Sequence, residues 1–409
     1  MPAPLDASKL QTELVETDKP VPEPNSPEQW SQSYATDHML TVPWDSVHGW
    51  GTPKIGPYSN LSLSPIASAL NYATSCFEGM KLYRGYDGKV RLFRPNLNAA
   101  RMLRSAQRVC LPEFDPAELE KLIIKFAEVE ARKWAPASRP GTSIYLRPVL
   151  IATQPTIALQ IPNQALLYIA ALAFPNIDDR HLAKQGMSGT SASNDASRET
   201  KSSDEPVKTS APGLKLWASS APHVRTWPGG AGAAKVGVNY GPTLPAQQQA
   251  AKKEFDQVLW LYPGSQPENP LVTEAGGSNF FVLWKTPEGK MQLITAPLSH
   301  GLILPGVTRQ SILELAKAEF GSEMEVVEKD YGIEDLVQAF KEGRLLEAFA
   351  AGTAYFVTPV EKITYKDVDV NIPLNGAVAG KYTKTIRDRL MEIQYGKASH
   401  EWGVVLNEV

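Results

Sequence analysis

A polar stretch over residues 184–212 divides the chain into two parts that are rich in apolar residues. It consists of KQGMSGTSASNDASRETKSSDEPVKTSAP, with many Ser, Thr and charged residues and almost no large apolar side chain. Such a composition buries too little apolar surface to form a core. We therefore expect an interdomain linker or insertion at this position.

The two flanking parts predict two domains. A chain of 409 residues with 43% hydrophobic content is long enough to bury two ordinary cores. We expect a small domain over residues 36–183 and a large domain over residues 213–409. Residues 1–35 have too few large apolar side chains to fold alone and are expected to form an arm that is ordered by docking.

Strand and helix patterns within these domains occur in blocks and do not alternate strictly. Asp87-Gly88 is typical of a tight hairpin turn, and Asp115-Pro116 is typical of a helix start, with Glu118 completing a capping box. The expected strands are Met80–Arg84, Lys89–Phe93, Ser143–Ile151, Gln164–Phe174, Gln257–Leu261, Ser278–Trp284 and Met291–Thr295. The expected helices are Pro95–Val109, Pro116–Trp134, Val307–Phe320, Ile333–Lys341 and Gly380–Ile393. This order predicts a mixed α+β fold with β-rich cores flanked by helices.

Composition narrows the classes of partner and compartment. The net charge of −3 gives no general attraction to nucleic acid or anionic lipid, so neither is expected as a partner. Cys76 and Cys110 are the only cysteines, which excludes a disulfide framework and leaves no metal site expected. The longest apolar run, Ala165–Phe174, is too short to cross a bilayer. With an acidic, proline-containing beginning, the chain is expected in the cytoplasm.

Lys235 is the candidate for covalent chemistry. It lies in the run GGAGAAKVGVNY, residues 229–240, where small residues allow a flat ligand to approach the backbone. An amine in such a setting is a candidate nucleophile towards a carbonyl. A single lysine is nevertheless most often a solvated surface residue, and Tyr240 by itself is most often a packing ring.

Three further segments provide candidate polar groups in the second part of the chain. Glu274 precedes the apolar strand that begins near Ser278, and strand ends often face clefts, although a carboxylate at such a place is more often an ordinary turn residue. Val307 and Thr308 open a helix whose amides are suited to an anion, and an ordinary helix start is the alternative. Thr353 and its neighbours form a small-residue turn after an apolar stretch.

The first part of the chain provides candidate cations. Arg101 shares one helical face with Arg104 and Arg108, a pattern that is usually solvated. Tyr145 and Arg147 alternate on one face of an expected strand, which suits the binding of a carboxylate. A salt bridge within the fold is the alternative for Arg147.

Taken in order, seven segments make the chain resemble the branched-chain amino acid aminotransferases, pyridoxal-phosphate enzymes of fold type IV. The similarity spans about Tyr72 to Val405. The segments are YATSCFEGMK, LFRPNLNAARMLRSAQRVCLP, IYLRPVLIATQP, AKVGVNYGPTLPAQQQA, VTEAGGSNFF, ILPGVTRQSILELA and AGTAYFVTPV.

The resemblance implies a role for each candidate residue. Lys235 corresponds to the Schiff-base lysine, which also carries the proton, while Glu274 pairs with the pyridine nitrogen and Tyr240 bonds the phenolic oxygen of pyridoxal 5′-phosphate. The residues implied to hold the phosphate are Arg101, Val307, Thr308 and Thr353. The residues implied to bind substrate are Tyr72, Phe77, Tyr145, Arg147 and Ala354.

The activity that this resemblance implies is amino-group exchange between Leu, Ile or Val and 2-oxoglutarate by a homodimer. The alternatives are another fold type IV enzyme, either an amine or D-amino acid transaminase or an aminodeoxychorismate-type lyase, and a catalytically silent binding protein. Tyr145 and Arg147 argue against the first group, and the intact set of Lys235, Tyr240 and Glu274 argues against the second.

Three departures from the family pattern bear on substrate range and regulation. Gly277 stands where many relatives have threonine, which removes a hydroxyl that helps to hold the substrate carboxylate and implies a wider pocket. Tyr355 and Thr358 replace a Cys-x-x-Cys, so a dithiol switch at that place is chemically impossible. The Ser-rich insertion lies where relatives have a shorter interdomain loop.

Overall fold

Two β-sheets form the framework of the protein. The computed structural model describes residues 2–15, 17, 19–176, 213–219, 223–354, 356–374 and 379–407. The expected linker over residues 184–212 lies outside these ranges. The following description concerns the described residues only.

The first sheet has ten strands and is built almost entirely from the first part of the chain. Its strands are β1 (Gln11–Thr12), β2 (Ala35–Asp45), β3 (Gly49–Trp50), β4 (Lys54–Pro57), β5 (Ser75–Phe77), β6 (Met80–Arg84), β7 (Val90–Phe93), β8 (Ser143–Ala152), β9 (Gln164–Ala173) and β19 (Gly403–Val405). Their order is β1-β4-β2-β9-β8-β6-β7-β19, with β3 beside β2 and β5 beside β8. Apart from the parallel pair of β1 and β4, neighbouring strands are antiparallel.

The second sheet has nine strands. They are β10 (Leu214–Ala218), β11 (Gln257–Tyr262), β12 (Leu271–Ala275), β13 (Ser278–Lys285), β14 (Met291–Thr295), β15 (Glu325–Glu328), β16 (Leu345–Ala351), β17 (Val357–Tyr365) and β18 (Val368–Asn371). Their order is β12-β11-β10-β17-β16-β13-β14-β15, and β18 pairs with β17. Because β12 also pairs with β13, six of these strands close a ring.

Helices cover the sheets and bury their apolar faces. They are α1 (Pro27–Trp30), α2 (Ser68–Tyr72), α3 (Pro95–Arg108), α4 (Pro116–Trp134), α5 (Leu244–Lys252), α6 (Val307–Phe320), α7 (Ile333–Lys341) and α8 (Lys381–Gln394). Met102 of α3 and Phe126 of α4 share a core with Leu82 of the first sheet. Ile312 of α6 and Leu390 of α8 share another core with strands of the second sheet.

Local signals placed the start of α4 correctly but not all of its hydrogen bonds. The Asp115 side chain accepts a hydrogen bond from the Ala117 amide at 2.9 Å, as expected of an N-cap. The expected capping box is not formed, because the Glu118 carboxylate accepts a hydrogen bond from the Ala7 amide at 2.7 Å instead. Docking of the arm therefore replaces the local contact with a long-range one.

Both ends of the chain join the first sheet. The side chain of Leu5 is buried in its core, and β1 adds a strand beside β4. At the other edge β19 pairs with β7, although the sequence placed residues 403–405 in the second domain. Val236, just after the candidate lysine, also packs in the first core. These long-range contacts cross the expected domain boundary. The pairing of a short edge strand depends on tertiary structure and is not indicated by its neighbours in the sequence.

The described helices were also compared with the length and hydropathy that a bilayer crossing requires. Within those parts of the chain, no helix combines sufficient length with sufficient apolar character to span a membrane.

Candidate active site

A cavity of about 360 Å³ collects side chains from both sheets. The first sheet and α3 contribute Tyr145 and Arg101, and the loop between the sheets contributes Lys235. The second sheet contributes the turn between β12 and β13 and the loop after β16, and α6 contributes its first residues. The expected site residues in its lining are Arg101, Tyr145, Lys235, Glu274, Val307, Thr308, Thr353 and Ala354.

Hydrogen bonds of its backbone hold Lys235 in place independently of its side chain. Its amide donates a hydrogen bond to Ser105 Oγ at 2.9 Å, and its carbonyl accepts one from the Phe77 amide at 3.0 Å. Its Nζ lies 3.3 Å from Tyr240 Oη. Burial, aided by the charge of Arg101, lowers the pKa of the Lys235 amine and so favours its neutral, nucleophilic form.

Tyr240 lies between the amine and an aromatic wall. Its ring centroid is 5.0 Å from that of Phe77, and Lys235 Nζ lies 5.1 Å from the Phe77 centroid. Burial raises the pKa of the Tyr240 phenol, against the opposing charge of Arg225. The phenol therefore remains protonated and is able to donate a hydrogen bond to an oxygen in the cavity.

Glu274 is a buried carboxylate with a dense set of donors. Its Oε1 accepts hydrogen bonds from Asn279 Nδ2 at 3.2 Å and from the Leu304 amide at 3.1 Å. Its Oε2 accepts one from Arg225 Nη1, and both side chains of this ion pair are buried. Burial raises the pKa of Glu274, and the charge of Arg225 is the main influence that opposes this rise.

Arg101 is oriented by a second buried ion pair. Its Nε and Nη2 each donate a hydrogen bond of 2.7 Å to the two carboxylate oxygens of Glu78, and its Nη1 donates to the Pro305 carbonyl at 3.1 Å. Burial alone would raise the pKa of Glu78, but the charge and hydrogen bonds of Arg101 outweigh it and leave that pKa lowered. The orientation of the guanidinium is therefore fixed, and Arg101 is one of the residues that line the cavity.

The first turn of α6 is suited to an anion. The backbone N–H groups of Val307 and Thr308 belong to the helix start, where no preceding turn supplies acceptors. The glycines beside them are required by space: a Cβ at Gly306 would overlap the Asn279 side chain, and one at Gly352 would lie 2.9 Å from Ser278 Oγ. With Arg101 and Thr353 in the same lining, this end of the cavity has the donors that a phosphate requires.

Tyr145 and Arg147 lie together on one face of β8, as their alternation predicts. Arg147 Nη2 lies 3.5 Å from Tyr145 Oη, and the guanidinium carbon lies 4.9 Å from the Phe77 ring centroid. Arg147 Nε is buried without a hydrogen-bond partner, and among the described residues no carboxylate forms an ion pair with this side chain. Among the described residues, Arg147 therefore does not form the salt bridge within the fold that was the alternative.

Comparison with known proteins places these features in a family. The amino-transferase class IV family matches residues 75–363. The chain is 43% identical over 374 residues to a branched-chain-amino-acid aminotransferase of Dictyostelium discoideum, which covers 91% of this chain and 88% of that protein. It is 40% identical over 412 residues to the cytosolic branched-chain-amino-acid aminotransferase of Saccharomyces cerevisiae, covering 100% and 99% of the two chains. The mitochondrial branched-chain-amino-acid aminotransferase of Bos taurus is 40% identical over 403 residues, covering 97% and 91%.

The chain belongs to the branched-chain-amino-acid aminotransferases of amino-transferase class IV.

Solved structures of branched-chain aminotransferases share its fold. The enzyme from Thermobaculum terrenum in PLP-form aligns with a TM-score of 0.65 at 21% identity, over 92% of this chain and 100% of that one. The T.th. enzyme complexed with N-(5′-phosphopyridoxyl)-L-glutamate aligns with a TM-score of 0.61 at 24% identity, over 90% and 98%. These structures confirm the mixed α+β fold of type IV, while the family match and the relatives at 40–43% identity confirm the expected family and enzyme class.

Three residues that the family resemblance assigned to substrate, Tyr72, Phe77 and Arg147, are absent from the lining of this cavity, although Phe77 lies beside Lys235 and Arg147 beside Tyr145. Tyr72 ends α2, which stops where Ala73 adopts a left-handed conformation with φ of 52°. Its hydroxyl donates a hydrogen bond to the Ile157 carbonyl, and 40% of the residue is exposed. This contact with the 153–163 loop holds the side chain at the surface of the described chain. The substrate role of Tyr72 therefore remains a prediction, which the contacts within this single chain do not test.

The structure also identifies site residues of this aminotransferase that sequence reasoning missed. Arg225 and Glu78 are the two buried partners of candidate residues, and Ser105 positions the backbone of Lys235. Arg225 lies 49 residues from Glu274 and Glu78 lies 23 from Arg101, so no short spacing reveals either pair. Glu78 lies in the segment YATSCFEGMK, but the resemblance gave this residue no role.

Proposed function

We propose that the protein transfers the amino group of L-leucine, L-isoleucine or L-valine to 2-oxoglutarate, giving the branched-chain 2-oxo acid and L-glutamate. The observation that carries the proposal is one cavity in which the Lys235 amine lies 3.3 Å from the Tyr240 phenol and shares the lining with the buried Glu274 carboxylate. The names of relatives at 40–43% identity over most of the chain support the substrate class.

The cofactor of the proposed reaction is pyridoxal 5′-phosphate. When bound, its ring withdraws electrons from the carbon that loses a proton. The donor set fits this group from end to end, since Arg101, Thr353 and the Val307 and Thr308 amides suit the phosphate. In this proposal Glu274 would hold the ring nitrogen and Tyr240 the ring oxygen, and Lys235 would supply the amine for covalent attachment.

Lys235 has a second role in this proposal, as the group that moves the proton. Burial lowers the pKa of the free amine and so favours its neutral form, which is the form able to accept the proton from the substrate Cα. The backbone contacts to Ser105 and Phe77 restrict where that amine can reach. The same side chain thus acts as anchor and as base.

Two kinds of substrate side chain have to share one pocket. Arg147 and Tyr145 provide the donors for the γ-carboxylate of glutamate, and the buried Nε of Arg147 has hydrogen-bonding capacity to spare. The Phe77 and Tyr145 rings provide apolar walls for the branched side chains. The Ala354 amide, in the loop after β16, is assigned to the α-carboxylate.

We further infer a homodimer. Six large apolar residues on α2 and the neighbouring loops are exposed at 40–85%, which for a single copy is an unusual concentration. We call this set the apolar patch; it consists of Ile66, Leu70, Tyr72, Ile157, Leu159 and Ile161. Tyr72 belongs to the patch, so a second copy seated there would contact the residue to which the motif assigns a substrate role.

The test is half-reaction spectroscopy on the purified protein loaded with pyridoxal 5′-phosphate. L-Leucine, L-isoleucine, L-valine and L-glutamate are each expected to change the cofactor spectrum and to yield their own 2-oxo acid. D-Alanine and simple amines serve as donors for the alternative enzymes. Turnover with those donors and none with L-leucine would overturn the proposed substrate class, and no spectral change with any donor would support a silent binding protein.

The cytoplasm remains our proposal for the compartment. The relatives include cytosolic and mitochondrial proteins, so family membership leaves the compartment open. Cys76 is buried, Cys110 is exposed, and both are free thiols, which suits a reducing environment. Fractionation of cells that make the full chain, followed by immunodetection against mitochondrial and cytosolic markers, tests the assignment. Enrichment with the mitochondrial marker would overturn it.

A further inference from the structure

The Asn239 side chain ties together the loop that carries Lys235. Its Nδ2 donates hydrogen bonds to the Ala231 carbonyl at 2.7 Å and to the Ala234 carbonyl at 2.9 Å. Two carbonyl acceptors require the amide nitrogen on this side of the group, and both of its N–H bonds are then used. The Ala234 amide also donates to the Ala231 carbonyl, so one side chain supports the backbone turn directly before Lys235.

These bonds join the two pieces of backbone from which the amine and the phenol project. Ala234 directly precedes Lys235. Asn239 directly precedes Tyr240 and ends a 3₁₀ turn over Gly237–Asn239. The bond of 2.9 Å between Asn239 and Ala234 therefore connects the immediate neighbours of both reactive side chains. Across this connection, Lys235 Nζ lies 3.3 Å from Tyr240 Oη.

The two reactive residues differ in how their backbones are anchored. Lys235 is held by Ser105 Oγ and by the Phe77 amide, which both belong to the first part of the chain. In the parts of the chain that the structure describes, the backbone hydrogen bonds of Tyr240 reach no farther than three residues along the sequence. Without the Asn239 donors, the amine would stay in place. The phenol would be held beside it by ring packing on Phe77 and no longer by a hydrogen-bonded loop.

We propose that Asn239 is a positioning residue that sets the separation of the Lys235 amine and the Tyr240 phenol. The inference rests on the proposed function, whose site and reaction it keeps. The Asn239 side chain bonds the backbone of its own loop and is not in the donor set for the cofactor, so its effect passes through Tyr240. A fixed separation favours turnover, because a displacement of about 1 Å in a reacting group can lower a rate by about 100-fold.

A double-mutant cycle in the enzyme loaded with pyridoxal 5′-phosphate tests this role, with kcat for leucine as the measured quantity. Asn239→Leu removes both donors at similar volume and is expected to lower kcat about tenfold, with KM changed by less than about threefold. In the Tyr240→Phe background, which lacks the phenol oxygen, the same substitution should lower kcat by less than about twofold.

Asn269→Ala is the matched control for a loss of stability. The Asn269 side chain also anchors a loop, since it accepts a hydrogen bond from the Glu334 amide at 2.9 Å, and it does not line the cavity. This variant should lower the midpoint of urea unfolding and leave kcat unchanged in both backgrounds.

Each outcome decides between positioning and general stability. Equal losses of kcat from Asn239→Leu in both backgrounds, no loss in either, or a change confined to KM would overturn the inference while wild-type turnover of leucine upholds the proposed function. Absence of that turnover would defeat the proposed function and the inference with it. Asn239→Asp has the same shape without the N–H donors and replaces Asn239→Leu if that variant does not fold. Failure of both variants to fold would assign the side chain to stability alone and overturn the inference.

Discussion

At the scale of single residues, the Lys235 amine is distinguished from a surface lysine by its surroundings. It lies among Tyr240, Phe77 and the charge of Arg101, and its pKa is lowered, mainly by burial. An ordinary lysine at neutral pH is a cation and a poor nucleophile. Here the fold itself shifts the amine towards the reactive form.

Replacement of Lys235 by alanine is expected to remove both covalent attachment of the cofactor and transamination. The loss of turnover should be about 10⁴-fold or more, because the residue provides the attacking amine and the proton carrier. Borohydride reduction followed by mass spectrometry of the chain measures attachment, and 2-oxo acid formation measures turnover. Lys317→Ala, at an exposed position on α6, is the control. Retention of a reducible adduct in Lys235→Ala would show that another amine is used.

Removal of the Arg225 charge is expected to shift the pH profile of the enzyme. Burial raises the pKa of Glu274 and Arg225 opposes this, so Arg225→Met should raise that pKa further. Because the ionised carboxylate is the form assigned to the ring nitrogen, the acid limb of the kcat–pH profile should move to higher pH. Arg225→Lys keeps the charge, so its acid limb should lie closer to that of the wild type than the acid limb of Arg225→Met does. Arg389→Met, on the exposed face of α8, should leave the acid limb unchanged. An unchanged acid limb in Arg225→Met would show that the Arg225 charge does not control the ionisation of Glu274.

Sequence motifs identified the residues that face the cavity better than the residues behind them. Lys235, Glu274 and Arg101 each stand in a recognisable segment, and the structure brings all three to one cavity. Arg225 and Glu78 act through the residues they bond, and such pairs are formed by folding across 49 and 23 positions of the chain. No periodicity or spacing encodes a contact of that kind. For the same reason the surface position of Tyr72 was not foreseen.

At the scale of elements, the hairpin of β12 and β13 connects the stability of the second sheet with the shape of the cavity. Gly276→Ala is expected to lower the stability of the protein by about 1–2 kcal/mol, since φ of 57° is unfavourable for a residue with a Cβ. The new Cβ would also displace the Gln257 side chain. Urea unfolding followed by circular dichroism measures the change.

Gly277→Ala is the matched control in the same turn. Its φ is not positive and its added Cβ meets open space, so its unfolding midpoint should equal that of the wild type. Equal destabilisation by both substitutions would argue against the turn assignment.

The ion pair of Glu78 and Arg101 joins the bend between β5 and β6 to α3. Both side chains are almost fully buried, so Glu78→Gln leaves a cation without its counter-charge and should cost about 3–5 kcal/mol of unfolding free energy. The double variant Glu78→Gln, Arg101→Met should recover much of the lost stability, because the unpaired charge is gone. It should bind the cofactor more weakly than the wild type, because a residue assigned to the phosphate is missing. Chemical denaturation and cofactor titration measure the two effects. Glu113→Gln, at an exposed carboxylate, is the control.

Local patterns were most reliable where an element is defined by its own residues. The β6–β7 hairpin turns at Asp87-Gly88, and α4 begins at the Asp115 cap, as their sequences predict. Glu118 differs because a competing donor, the Ala7 amide, comes from the docked arm. Residues at element ends are therefore the ones for which tertiary contacts override local preference.

At the scale of the whole molecule, association through the apolar patch is expected to be sensitive to one charge. Leu159 is 85% exposed in the single chain, so Leu159→Glu should place a carboxylate in the proposed interface and favour the monomer. Light scattering should then give a mass near 44.7 kDa, against twice that value for the wild type. Val47→Glu, at a turn residue that is 75% exposed, is the control. A dimer that persists in Leu159→Glu would place the interface elsewhere.

The mixed fold and its two β-rich parts follow from the order of strand and helix patterns, but the pairing of the chain ends does not. β1 and β19 have two and three residues, too few for a reliable pattern, and they occupy opposite edges of the first sheet. Their partners are chosen by the tertiary structure. The expected boundary places residues 403–405 in the second domain, whereas their strand pairs with β7 of the first sheet.

This arrangement of the chain ends has a consequence for how the protein forms during synthesis. The sheet that contains the first strands also requires residues 403–405, which are synthesised after all strands of the second sheet. The edge of β7 therefore stays uncovered until residues 403–405 have emerged, while the second sheet is made in between. Nascent chains stalled before residue 403 should be more susceptible to proteolysis around β7 than released ones, and the exposed edge offers a binding site for chaperones that recognise unpaired strands.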